Sequence, residues 1–389
     1  MTVPFELLVI GGGPAAMAAT RAFREAGGRG SVAIIADEQR MPYRRPPLTK
    51  ELLRGEIDEA ELPLENDRWP AENGVALVSG RAVALDADAR KATLSGGREL
   101  EYVNCVLATG SEPKRLPAPG SDDPAVRVVR TLDDVRELLV RLRPGDDVIV
   151  IGSGFIGCEI ASSLHRRGHP ATLISDEAVP NARRLGDEAG AQIASWLEHD
   201  GVALALGVGV DAIERDAGRL SVAAGPERVT APLVVMAAGV APRGELAAGA
   251  GAELTDGAVV VDSAMRTTIP GLLAAGDVCR ADNDAARRPL RVEHWGDALG
   301  QGAIAGRTAA GRLAVWDDVP GFWSEIGDRT LKYAAWGDGY DVSRFESGAG
   351  GAFTVWYGRN GRIVGVLAHD ADDDYERGQS LIAEGAAWV

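Results

Sequence analysis

Two glycine clusters, Gly11-x-Gly13-x-x-Ala16 and Gly152-x-Gly154-x-x-Gly157, carry the clearest chemistry in the sequence. Each is the pattern that lets a backbone turn tightly and approach a pyrophosphate. In the first, Gly11 permits the turn and Gly13 the approach. Pro14 and Ala15 open the helix, and Ala16 is small enough for close helix–strand packing. Free N–H groups and the helix dipole favour phosphates at that point. Asp37 or Glu38 follows where a carboxylate takes a ribose hydroxyl. The second cluster is complete, with Phe155 and Ile156 inside it and Glu159 two residues beyond. Its next strand ends in Ser175, then Asp176-Glu177, with Arg183-Arg184 soon after. A serine with arginines suits a 2′-phosphate, whereas the acids suit the free hydroxyl of NADH. The coenzyme is therefore read as NAD(P)H, leaning to NADH. Two dinucleotides divide the work naturally, one held and one exchanged. Flavin takes hydride from nicotinamide and releases electrons singly or in pairs. The residues point to a flavin-dependent nicotinamide oxidoreductase.

The elements around these turns repeat one grammar. Residues 5–10 form an apolar run, a helical stretch follows from Pro14 to about Ala26, and 31–36 read as the next strand. Residues 147–151, a helix to about Arg167, and 171–175 repeat it. Three more apolar runs break at glycines: 106–110 with Ala108-Thr109-Gly110, 234–239 ending in Gly239, and 273–277 ending in Gly276-Asp277. From about 312 onward the chain is richer in aromatics, residues 353–369 (FTVWYGRNGRIVGVLAH) alternate polar and apolar, and Asn360-Gly361 separates two strand-like runs of a hairpin. The fold class is α/β, with two Rossmann-like dinucleotide-binding domains and a small C-terminal α+β domain. The expected boundaries are 1–115 and 244–311 for the FAD-binding domain, 116–243 for the NAD(P)H-binding domain, and 312–389 for the last.

The 389 residues exceed one small core. A net charge of −16 argues against nucleic-acid and anionic-membrane partners. No apolar run is long enough to cross a bilayer, and the N-terminus lacks the basic segment of a secretory signal, so a cytoplasmic location is expected. Cys105, Cys158 and Cys279 stand alone. Without a CxxC pair, neither a sequence-adjacent dithiol relay nor a thiolate metal cluster is expected.

The loop PYRRPPLTKELL at 42–53 resembles that of the FAD-dependent ferredoxin reductases of oxygenase systems, the group of putidaredoxin, rubredoxin and biphenyl dioxygenase reductases. Both fingerprints, LAAGDV at 273–278, VEHW at 292–295 and FWSEIGD at 322–328 extend the resemblance over nearly the whole chain. The resemblance implies that Lys50 lies beside flavin N5 and pairs with Glu159. It implies that Arg45 and Pro46 line the FAD site, that Arg130 holds the phosphate or adenine side, and that Asp277 binds the ribitol. Trp295 would stand at the flavin pyrimidine end and Trp323 beside the isoalloxazine. The implied site also takes in Ala108, Thr109, Gly110, Gly239, Gly276, Glu293 and His294, the last near the nicotinamide.

The implied partner is a ferredoxin-type iron–sulfur protein, and the chain itself a monomer or weak homodimer. Arg44, Arg287, Arg288 and Arg291 are the cations that such a partner would meet. The rivals are a flavin reductase of a quinone or oxygen, and a redox-sensing interaction protein like apoptosis-inducing factor. Ser175 departs from the acid many NADH-using relatives carry at that strand end, and Ala16 from a third glycine. The cysteines do not form an iron–sulfur motif.

Overall fold

The computed structural model describes residues 3–388. Strand Phe5–Ile10 lies at the centre of a parallel sheet between Val32–Ala36 and Glu99–Leu107. Strand Val75–Ser79 continues the sheet on one side and Leu272–Ala274 on the other. The central strands read as unbroken apolar runs because both of their faces are buried. A second parallel sheet has the strand order Ala203–Ala205, Ala171–Ile174, Val148–Ile151, Leu233–Met236, Val126–Arg127.

The two lobes are joined by a two-stranded antiparallel link in which Ser111–Pro113 pairs Val240–Pro242. The chain leaves the first sheet through one of these strands and returns through the other. Helix Pro14–Glu25 then meets helix Trp295–Ala309 backbone to backbone. A side chain at Gly302 or Gly306 would collide with the carbonyls of Ala15 or Ala19, so that approach requires glycine.

The last domain is a five-stranded antiparallel sheet, ordered Gly321–Ile326, Arg329–Ala335, Arg362–His369, Phe353–Arg359, Val342–Ser347, with helix Asp372–Glu384 packed on it. The hairpin falls where expected: Asn360 and Gly361 have φ of 50° and 70° between Phe353–Arg359 and Arg362–His369. The polar–apolar alternation read there does not produce a half-exposed strand. Phe353–Gly358 are buried without a break, because the strand sits inside the sheet with structure on both faces. The sequence reading also contained no trace of the three-stranded meander Ala212–Asp216, Arg219–Ala224, Glu227–Ala231. Its polar edges resemble loops.

Candidate functional site

Gly11 and Gly13 differ in what makes them glycine. Gly11 has φ of 135°, and any side chain there would collide with the Ala108 carbonyl oxygen, so the fold itself demands it. Gly13 has an ordinary extended backbone, φ −100°, and nothing lies within 4 Å of where its Cβ would stand. It caps helix Pro14–Glu25 with no side-chain bond to the first turn. The second turn repeats this division. Gly152 has φ of 103° and would strike the Ala237 carbonyl, whereas Gly154 caps helix Phe155–Arg166 over open space. Gly157 is forced by the fold, since its Cβ would run into the Gly152 carbonyl. Open, uncapped helix starts at Gly13 and Gly154 are cradles that a Cβ would fill.

The acid after strand Val32–Ala36 is divided between two residues. Glu38 is already engaged: Arg45 reaches its Oε1 at 2.6 Å and the Tyr43 hydroxyl its Oε2 at 2.5 Å. Arg45 also donates to the Arg130 carbonyl at 2.7 Å, and Tyr43 receives the Leu132 N–H. Asp37 is exposed beside them. Glu38 thus anchors the 42–53 loop, which leaves Asp37 as the free carboxylate.

Lys50 sits at the junction of a short 3-10 turn, Pro46–Thr49, and helix Glu51–Arg54. It is no surface lysine. Its side chain is 5% exposed and pairs at 2.9 Å with Glu159, 2% exposed, on the helix of the second glycine turn. Thr49 donates to Glu159 Oε2 at 2.6 Å and Ser324 to Oε1 at 2.6 Å. Both oxygens of the buried carboxylate are therefore satisfied, as its burial requires. Three segments far apart in the chain meet on this carboxylate. The sequence reading found the Lys50–Glu159 pair and missed Thr49 and Ser324, because lone hydroxyls carry no pattern.

Arg130 and Asp277 also converge, at 3.0 Å, and Ser111 donates to the same Asp277 oxygen at 2.8 Å. Burial pulls the Arg130 guanidinium below the usual arginine range, with Asp277 pulling the other way. Thr109 and Gly110 hold the crossover, the former by donating to the Arg243 carbonyl, the latter by accepting the Arg243 N–H. Gly276 donates its N–H to buried Gln301, a residue that no sequence motif marks. Gly239 is exposed at the mouth of the link, and Pro46 opens the turn that carries Lys50.

At the start of helix Trp295–Ala309, His294 Nδ1 lies 2.9 Å from Asp297 Oδ2. Its ring meets Phe322 at 4.6 Å, and Phe322 meets Phe155 edge-on at 4.8 Å. Phe322 is the ring on the Ser324 face of strand Gly321–Ile326. Trp323 points the opposite way and is 42% exposed. Strand parity decides this: residues 322 and 324 share a face. Ile156 is also exposed, Trp295 is half-buried, and Glu293 pairs with Arg291 at 2.6 Å.

Ser175 is buried rather than open to a coenzyme. Its hydroxyl accepts from Ser153 at 2.7 Å and from the Glu177 N–H at 3.2 Å. The surface there belongs to Asp176, Glu177 and Arg183, with Arg183 2.7 Å from Asp176 and 3.2 Å from Glu177. The hydrogen bond from Arg183 holds the Asp176 carboxyl below its usual range.

All three cysteines are buried and free. Burial raises each thiol, Cys279 to about 12 and the other two higher still. A thiol so raised is not a nucleophile near neutrality. Replacing all three with serine or alanine should leave NADH-driven flavin reduction within about twofold of the parent, as stopped-flow absorbance would show. A large loss in the alanine variant with intact folding would mean a thiol takes part.

Two dinucleotide cradles, a buried lysine–glutamate pair between them and no usable dithiol define a two-nucleotide flavin oxidoreductase. The chain belongs to the pyridine nucleotide-disulphide oxidoreductase family, which it matches over residues 5–302, and it matches the reductase C-terminal family over 321–388. It is 33% identical to the ferredoxin reductase component of chlorobenzene dioxygenase from Cupriavidus sp. (strain PS12), covering 98% of this chain and 93% of that protein. It is 32% identical to a ferredoxin–NAD(P)(+) reductase of Sphingomonas sp, over 97% and 92%. A putidaredoxin reductase, solved covalently joined to putidaredoxin, superposes with a TM-score of 0.92 at 26% identity, over 99% of this chain and 94% of that one. The family's cofactors are FAD and, as electron donor, NAD(P)H. The open cradles at Gly13 and Gly154 fit both. Among the described residues, no helix is long and apolar enough to cross a membrane, and no cluster suits a metal ion.

Proposed function

We propose that this chain takes reducing equivalents from NADH and delivers them one at a time to a ferredoxin-type iron–sulfur protein. The observation that carries this is the Lys50–Glu159 pair, buried where the two nucleotide lobes meet, in a chain whose thiols are all inert. Bound FAD supplies the exchange between two-electron and one-electron chemistry. The chain's residues do the rest. Gly13 and Asp37 seat one dinucleotide; Gly154, with Asp176 and Glu177, seats the other. Lys50 places its ammonium at the junction, where negative charge develops on reduction, and the ion pair with Glu159 holds it in place. Phe155, Phe322 and His294, one ring from each lobe and one from the C-terminal domain, pack against one another where the domains meet.

The iron–sulfur partner is supported by the relatives' names and by the putidaredoxin complex. An acidic ferredoxin approaching a chain of net charge −16 needs local cations. Of the four expected, Arg288 is paired with Asp338 and Arg291 with Glu293. Among the described residues the Arg44 guanidinium donates to the Glu61 carbonyl, and Arg287 is exposed. These two are the arginines to test for docking. The deciding experiment is anaerobic reduction by NADH followed by mixing with a [2Fe–2S] ferredoxin. Electron transfer faster than reoxidation by quinone or oxygen supports the reading, and the reverse order overturns it.

Coenzyme choice follows from the charges after strand Ala171–Ile174. Two carboxylates and one arginine leave a net negative site, which accepts a ribose hydroxyl and repels a 2′-phosphate. The double variant D176A/E177A should lower the ratio of kcat/KM for NADH over NADPH by about tenfold or more, roughly 1.4 kcal/mol of discrimination. It frees Arg183 for a phosphate. An unchanged ratio would place selection elsewhere.

A further inference from the structure

Strand Ala171–Ile174 runs into a buried hydroxyl rather than an acid, and the bonds of that hydroxyl belong to a larger pattern. Ser175 Oγ accepts from the Ser153 hydroxyl and from the Glu177 N–H. Glu177 Oε2 in turn accepts the Arg183 N–H at 3.2 Å. Arg183 lies in the short helix Ala182–Leu185, and the residue before that helix, Asn181, donates its N–H to the Ser153 carbonyl at 3.1 Å. The bonds close a ring that runs from Ser153 through Ser175, Glu177 and the start of the short helix back to Ser153. One side of the ring is the second glycine turn, and the other is the acidic strand end. The strand end is also fixed from behind: Val208 donates to the Ser175 carbonyl and Gly207 to the Glu177 carbonyl, both at 2.9 Å.

The ring treats two neighbouring acids differently. The Asp176 side chain is 59% exposed and that of Glu177 15%. Asp176 grips the Arg183 guanidinium with both oxygens, at 2.7 and 3.3 Å. Glu177 lies inward. The Cys158 thiol on helix Phe155–Arg166 is raised by burial, then by Glu159 and Glu177, so the Glu177 charge is felt behind the glycine turn. Cys158 Sγ lies 3.4 Å from the same Ser153 carbonyl.

We propose that Ser175 is a positioning residue for coenzyme recognition: with Ser153 it fixes the 175–177 turn so that Glu177, rather than Asp176, presents the carboxylate that takes the adenosine 2′-hydroxyl. The proposal rests on the functional reading above, in which Gly154 and these acids seat the nicotinamide coenzyme. A serine oxygen that accepts the N–H two residues on shapes a turn without adding charge. An acid at 175 would have to leave this buried place to serve a ribose. The serine passes that task two residues along. Because Ser153 stands inside the glycine turn, the ring also sets the spacing between the pyrophosphate cradle and the ribose carboxylate.

The probes are NADH, its analogue without the adenosine 2′-hydroxyl, and reduced nicotinamide mononucleotide, which has no adenosine half. Ferricyanide as acceptor removes the need for a protein partner. In S175A holoprotein the buried Glu177 N–H loses its acceptor, so KM for NADH should rise about tenfold while kcat stays within about twofold. The preference for NADH over its 2′-deoxy analogue should disappear. Turnover of the mononucleotide should not change, since the ring acts on the adenosine half. E177A should erase the same preference, and D176A should keep it. S153A leaves Ser175 able to accept the Glu177 N–H and should raise KM by less; it carries the test should S175A lose FAD. Slowing of the mononucleotide in step with NADH would reveal a general loss of structure and overturn the positioning role. So would a 2′-hydroxyl preference that survives in S175A and S153A while E177A erases it. A preference untouched by E177A would instead sink the assignment of the acidic strand end to the ribose.

Discussion

Glu159→Gln should destabilise the protein by about 3–5 kcal/mol, because it strands the Lys50 charge in a site where the lysine is only 5% exposed. Thr49 and Ser324 donate to different oxygens of Glu159, and the amide keeps only one, so the other hydroxyl must turn to accept from the new NH2 while the lysine loses its counter-charge. Lys50→Met should cost a comparable amount by stranding the carboxylate. The double variant K50M/E159Q should recover most of the loss, since a buried pair replaced as a unit is often near neutral. Rate should not follow stability. If Lys50 stabilises charge developing at the junction, flavin reduction by NADH falls about 10²-fold in both K50M and the double variant. Urea melts and stopped-flow reduction on the same four proteins complete the cycle. A double variant that regains both stability and rate would reduce the pair to a structural bridge.

That pair also shows where sequence reasoning stops. Lys50 and Glu159 are separated by more than a hundred positions, and no periodicity connects them. The pairing came from the likeness of PYRRPPLTKELL to known reductases, and the geometry then supplied its physical reason. Thr49 and Ser324 complete the carboxylate's hydrogen bonds, yet serine and threonine occur everywhere, and only the fold reveals which ones are buried. The glycine turns were legible for the opposite reason. A strand, a left-handed or close-approach glycine and a helix start impose a local order that tertiary packing rarely overrides.

Strand parity separates the two rings of FWSEIGD: Phe322 shares the buried face of Ser324, and Trp323 takes the opposite, exposed face. Alternation in FTVWYGR failed for a related reason: it predicts one wet face, and an interior strand has none. The place of Ser175 at a strand end, with arginines nearby, suggests a 2′-phosphate contact. Its hydroxyl is occupied by Ser153, one residue inside the second glycine turn, a contact across 22 positions that only the parallel pairing of Val148–Ile151 with Ala171–Ile174 creates.

The contrast between Gly11 and Gly13 gives the sharpest separation of fold from function. Gly11→Ala forces a φ of 135° on a side chain that collides with the Ala108 carbonyl, and should destabilise by about 3 kcal/mol or more. Gly13→Ala meets nothing within 4 Å and has an extended backbone, so the apoprotein should lose about 1 kcal/mol or less, the ordinary difference between glycine and alanine at a helix N-cap. Its methyl group instead occupies the place where a pyrophosphate approaches the helix start. FAD affinity should then fall about 100-fold, roughly 2.7 kcal/mol, read by titrating apoprotein with FAD fluorescence. Gly154→Ala should repeat the pattern on the other nucleotide, raising KM for NADH while FAD stays bound. The assignment of the first turn to the resident cofactor depends on this asymmetry. Should G13A bind FAD as the parent does while G154A releases it, the two cradles have been assigned the wrong way round.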